Sequence, residues 1–126
     1  MVCLLLSDGV ELDSAIVARD LGKLAGLYET YKCLEAAGAM SAYLEKIDEE
    51  YEWITISYSG DESGNKLVYS ESKGIQVSTE GWHTGIIYNQ KVYCNIHPAG
   101  ISIKGWIVDM YGLGIRTITP VKYNFY

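Results

Sequence analysis

The apolar period changes once along this 126-residue chain, from helical to alternating, near residue 50. Over residues 10–28 the apolar positions are Leu12, Ile16, Val17, Leu21, Leu24 and Leu27, close to a helical stripe. Asp13, Ser14 or Asp8 is placed to cap it, and Gly22 and Gly26 either weaken it or let another element pack closely. Cys33, Ala36, Ala37, Met40, Leu44 and Ile47 then follow at steps of three and four, which predicts a second helix with Thr30 as its N-cap and Cys33 in its first turn. The acidic run Asp48-Glu49-Glu50 suits a helix C-terminus poorly, so the helix is expected to stop before it. Beyond it, residues 53–58, 66–70, 75–77, 82–88 and 91–96 read as strands, and residues 60–65 as a loop. A short helix is expected over residues 102–110, and closing strands over 115–118 and 121–125. Helices first and an antiparallel sheet after them predict one α+β domain over residues 1–126.

A formal charge of −6 with ten scattered Lys and Arg residues argues against a nucleic-acid partner, because phosphates are repelled. Three cysteines, Cys3, Cys33 and Cys94, make an odd set without metal-ligand spacing, so a free thiol in a reducing compartment is expected, and no metal or other cofactor. The apolar start has no basic flank and no cleavage site, so no signal peptide is read there. No apolar run reaches the ~20 residues that span a bilayer, so no membrane partner is expected.

The residues able to carry chemistry occur in one order: Cys33 at a helix start, then His83 and Asn95 on neighbouring strands. That order is the one a papain-like cysteine hydrolase needs. The thiol is the nucleophile, the imidazole takes its proton, and a carboxamide fixes the imidazole's tautomer. A helix start favours thiolate, and a nearby imidazolium would favour it further. From the helix alone, Cys33 reads as one more apolar position on a buried stripe; His83, flanked by Gly81 and Gly85, shifts the balance. His97, ahead of Pro98, is expected to pack or face solvent.

The segments Trp82-His83-Thr84-Gly85-Ile86-Ile87 and Asn95-Ile96-His97-Pro98-Ala99-Gly100, with Trp106 beyond, resemble the papain-fold toxin domains of bacterial polymorphic toxin systems. Lys32-Cys33-Leu34-Glu35 sits where that family carries its nucleophile, and the likeness runs over about residues 31–106. The resemblance implies a papain-like core, with helices packed on an antiparallel sheet. It implies Cys33 as nucleophile, His83 as base and Asn95 as orienting group, with Tyr31, Trp82 and Trp106 at the substrate. It also implies a peptidase or glutamine deamidase acting on a protein or peptide in the cytoplasm of a target bacterium, with a cognate immunity protein in the producer.

Two alternatives remain beside that reading: a non-catalytic papain-like binding module, and a metal-free ribonuclease using His83 and His97. The third triad member is also open. A two-residue turn at Asn89-Gln90 would pair Gly85 with Cys94 and put Cys94 on the His83 face, whereas a bulge would put Asn95 there. Chemistry favours Asn95, since a carboxamide oxygen accepts from an imidazole N–H better than a thiol does.

Overall fold

A computed structural model describes residues 13–125. Helix α1 (Ser14–Ala25) is capped by Asp13, whose carboxylate accepts from the Ala15 N–H, and it buries Val17, Leu21 and Ala25. Asp8 lies outside the described residues. Helix α2 (Cys33–Lys46) buries Cys33, Ala36, Ala37, Met40 and Leu44, the stripe expected from the sequence, and stops before the acidic run. Its cap differs from expectation. Tyr31 takes φ 76, Lys32 N–H bonds Glu29 O, and the helix opens at Lys32 without a side-chain cap, so Thr30 does not cap it.

Five strands form one antiparallel sheet: β1 (Glu52–Tyr58), β4 (Trp82–Tyr88), β5 (Lys91–Tyr93), β6 (Ile101–Ser102) and β8 (Arg116–Thr119), in the order β6-β5-β4-β1-β8. A second sheet has the order β3-β2-β7, from β2 (Val68–Ser70), β3 (Ile75–Ser78) and β7 (Met110–Gly112). Helix α3 (Ile103–Asp109) joins β6 to β7. Val121–Phe125 is a 3-10 turn, not the closing strand the alternating residues suggested. Pro120 has no N–H to give a ladder, and the Asn124 carboxamide bonds both the N–H and the C=O of Ile118 on β8.

The two faces of β4 meet two cores. Ile86 and Tyr88 pack with Val17, Leu21, Met40 and Leu44 under the helices. Ile87 packs with Ile54, Ile56, Val68, Trp106, Met110 and Ile118, between the larger sheet and the second sheet with α3. Pairing of Ile54 with Gly85 and Ile56 with His83 puts His83 on that second face, since opposed residues share a face. The helices thus lie on one side of the larger sheet and the second core on the other. The result is the α+β arrangement expected from the sequence, with helices packed on an antiparallel sheet.

Gly22 shows how closely the helices are seated. A Cβ there would lie 2.8 Å from the Pro98 carbonyl oxygen, a backbone atom that does not yield cheaply. Gly38, inside α2, has nothing within 4 Å of the same position. Alanine gains about 1 kcal/mol of helix propensity over glycine, and overpacking costs about 1–3 kcal/mol. Gly38→Ala is therefore expected to raise the urea midpoint and Gly22→Ala to lower it. Equal shifts in the two variants would contradict the close α1–Pro98 approach.

Candidate active site

Cys33 is the first residue of α2 and only 6% exposed. It lines a cleft of about 190 Å³ with Tyr31, Leu34, Glu35, Ser78, Glu80 and Trp82, formed between the start of α2, the end of β3 and the start of β4. Two of the expected substrate-binding residues, Tyr31 and Trp82, are therefore in the cleft wall. The backbone N–H groups of Thr84, Leu34 and Cys33 itself lie near enough to the thiol to lower its pKa. These donors favour thiolate. They are outweighed, because burial pushes the Cys33 thiol above its ordinary value and the Glu35 carboxylate adds to the rise. The helix start alone thus does not make Cys33 a thiolate at neutral pH.

His83 is fully buried, and its ring stacks on Trp106 with centroids 5.8 Å apart. Neither ring nitrogen has a hydrogen-bonding partner among the described residues, so the expected bonds to Cys33 and to Asn95 are not formed. Strand alternation is the reason. Helix α2 packs on the face of β4 that carries Ile86 and Tyr88, whereas His83 points to the other face. Burial, with the nearby His97 adding to it, lowers the His83 pKa to about 3, so the ring is neutral at ordinary pH.

Asn89 and Gln90 both take positive φ, 51° and 68°, which makes the two-residue turn whose twist suits a hairpin. It fixes Ile87 opposite Val92 and carries Cys94, not Asn95, to the His83 side. Cys94 is fully buried beside Trp106, and burial pushes its thiol up to about 11. Asn95 instead turns to the segment before α2, where its amide donates to Glu29 O at 2.8 Å. The same carbonyl accepts the Lys32 N–H at 3.1 Å. Asn95 thus holds the turn that delivers Cys33, and it does not orient His83 here. Trp106, expected at the substrate, is fully buried in the second core and is not among the residues that line the Cys33 cleft.

Asp109 was invisible as a site residue in the sequence. Its carboxylate accepts from Ser70 Oγ at 2.6 Å, the Ser72 N–H at 2.6 Å and His97 Nε2 at 2.7 Å. Burial raises its pKa, but the Ser70, His97 and Ser72 donors outweigh burial and hold it at about 2. His97 therefore packs, as expected, with its Nε2 committed to Asp109. A larger hollow of about 940 Å³ near the end of α2 is lined by Glu45, Glu49, Glu50 and Glu52 and contains neither Cys33 nor His83. Among the described residues no group of three His, Cys, Asp or Glu side chains is arranged to hold a metal ion. Among them, too, no helix is long and apolar enough to cross a membrane.

No curated protein and no solved structure matches the chain significantly. The family described as papain fold toxin 2 does match, over residues 17–111, from within α1 through the Cys33 helix and the His83 strand to β7. That span is well over half of the sequence, and the chain belongs to this papain-fold toxin family.

Proposed function

We propose that this chain is a cysteine-dependent hydrolase or acyl-transfer enzyme, a peptidase or glutamine deamidase that serves as a bacterial toxin effector. The observation that carries the reading is Cys33 itself: a thiol at a helix start, at the wall of a cleft, with backbone N–H groups of Thr84, Leu34 and Cys33 favouring its thiolate form. Cys33 Sγ adds to an amide carbonyl, and the N–H groups of Cys33 and Thr84 receive the charge that develops on oxygen. The leaving amine takes a proton from His83, and water then hydrolyses the thioester. His83 adjoins Thr84 in sequence, and its neutral ring with two unpartnered nitrogens is free to accept the thiol proton. To do so it has to leave the face of Trp106. Asn95 contributes by holding the turn before Cys33. The site of action in this scheme is the cytoplasm of a target bacterium, and an immunity protein in the producer covers the cleft.

One observation favours a second reading, a binding module without catalysis: His83 is turned away from Cys33 in the second core. The ribonuclease reading finds no such support, because His83 and His97 are both buried and His97 is bonded to Asp109. Alkylation followed by activity separates the remaining two. Iodoacetamide at pH 8 is expected to modify Cys33 at least ~10-fold faster than Cys94, which has about one part in a thousand as thiolate there. Because burial raises the Cys33 pKa, its rate should still be climbing at pH 9. The alkylated protein is expected to lose the release of ammonia or of new N-termini from glutamine-containing peptides. Unchanged release after complete Cys33 modification would overturn the thiol mechanism, and modification of Cys33 with no conversion before or after would favour the binding module.

A further inference from the structure

The charge of the cleft around Cys33 says which substrates it accepts. Of the residues that line it, Glu35 and Glu80 are charged, and no Lys, Arg or His is among them. Glu35 stands two residues after Cys33 in the first turn of α2, and Glu80 stands two residues before Trp82 at the entry to β4. Glu35 meets Lys32 only loosely, at 3.8 Å, with both side chains about half exposed. The Glu80 carboxylate has no hydrogen bond or ion pair among the described residues; its backbone N–H, not its side chain, is bonded to Ser78 Oγ. Tyr31 and Trp82 add two aromatic rings to the same wall. Carboxylates beside aromatic faces suit a cation on an aliphatic stem, since the rings cover the stem and attract the charge while the carboxylates pair with it. The rest of the chain reinforces this, because a net charge of −6 draws cations toward it.

We infer that the Cys33 cleft selects a peptide segment carrying an arginine or lysine within one residue of the amide that is attacked. The inference rests on Cys33 being the nucleophile, and it adds the class of substrate. Glu35 and Glu80 are specificity residues in this arrangement, taking no part in bond making. Their pull on a cation is largest at low ionic strength, because both are exposed to solvent and screened by salt.

Peptidyl chloromethyl ketones that differ only in one side chain test this without needing turnover. Cys33 Sγ displaces chloride from the methylene carbon and leaves a thioether, and the chemical step is the same for each reagent. The side chain is arginine, its neutral isostere citrulline, or glutamate, placed either on the residue bearing the ketone or on the one before it. Site-resolved mass spectrometry follows Cys33. At one of the two positions arginine is expected to react about five- to tenfold faster than citrulline at low salt, with glutamate slowest, and the ratio should shrink in ~0.5 M salt. Glu80→Gln and Glu35→Gln should each move the arginine-to-citrulline ratio toward one, the citrulline rate of the same variant serving as the reference. Equal arginine and citrulline rates at both positions, or ratios unmoved by either substitution, would overturn the inference. Its failure is distinct from failure of the hydrolase reading. A cleft without charge preference still labels at Cys33, and a cleft with charge preference but no conversion of basic peptides would refute catalysis alone.

Discussion

The wild-type domain is expected to arrest growth when produced inside a bacterium, and Cys33→Ala to abolish that arrest and to lower turnover at least ~10³-fold, as loss of a covalent nucleophile does. The substitution removes one sulfur from a side chain that is 6% exposed, so circular dichroism should show a folded protein and tie the loss to chemistry. His83→Gln should cost ~10²-fold or more, the typical share of a general base, while keeping most of the volume that packs on Trp106. Equal toxicity of wild type and Cys33→Ala would dismiss thiol chemistry. Full activity of His83→Gln beside a dead Cys33→Ala would keep the nucleophile and move the base to another group.

The helices were legible in the sequence because burial imposes the helical period on them. The stripe from Cys33 to Leu44 appears unchanged as the buried face of α2. The β4–β5 hairpin was legible as two strands around Asn89-Gln90, but its register was not: a bulge was equally open, and only the fold pairs Ile87 with Val92 and carries Cys94 to the His83 side. The second sheet was harder. β7 has three residues and continues directly from α3, so Met110 read as the end of a helix rather than as a strand. Residues 121–125 carry an alternating pattern but no partner strand, and Pro120 with Asn124 turns them into a 3-10 element.

The site divides in the same manner. Cys33 at a helix start is a local property and could be read from spacing, as could the glycines around His83. Which side of the sheet His83 faces depends on where the helices pack, and no local pattern contains that. The partner of Asn95 is a carbonyl in a turn 66 positions earlier, and its bond to Glu29 follows only from the whole fold. The same holds for Thr84, whose contribution to the thiol is a backbone N–H that any residue could supply. Spacing named the candidate side chains and left their mutual geometry to the tertiary packing.

Asp109→Asn is expected to cost about 3–5 kcal/mol of stability, the cost of disrupting a buried carboxylate whose charge is held by three hydrogen bonds. The Asp109 carboxylate ties three pieces of chain together: α3, which it ends, the β2 end through Ser70 and Ser72, and the loop after β5 through His97. It is 6% exposed, so an amide in its place has one oxygen for three donors and turns an N–H₂ toward one of them. The pH dependence follows from the direction of its shift. A carboxyl at about 2 in the fold, against an ordinary value of 3.8, is depressed. Its stabilising share is therefore complete above the ordinary value and is lost as pH falls toward 2. Urea unfolding of the wild type should weaken by roughly 2 kcal/mol more between pH 5 and 2 than that of Asp109→Asn, which has no proton to gain at this site. Parallel pH profiles for the two proteins would show that the carboxylate is not held in its charged form by Ser70, Ser72 and His97. If Asp109→Asn fails to fold, Ser70→Ala, which removes one of the three donors and leaves the charge, should show a smaller loss of about 1–3 kcal/mol and a folded pKa moved upward, so its acid weakening is smaller than that of the wild type and is complete at a higher pH.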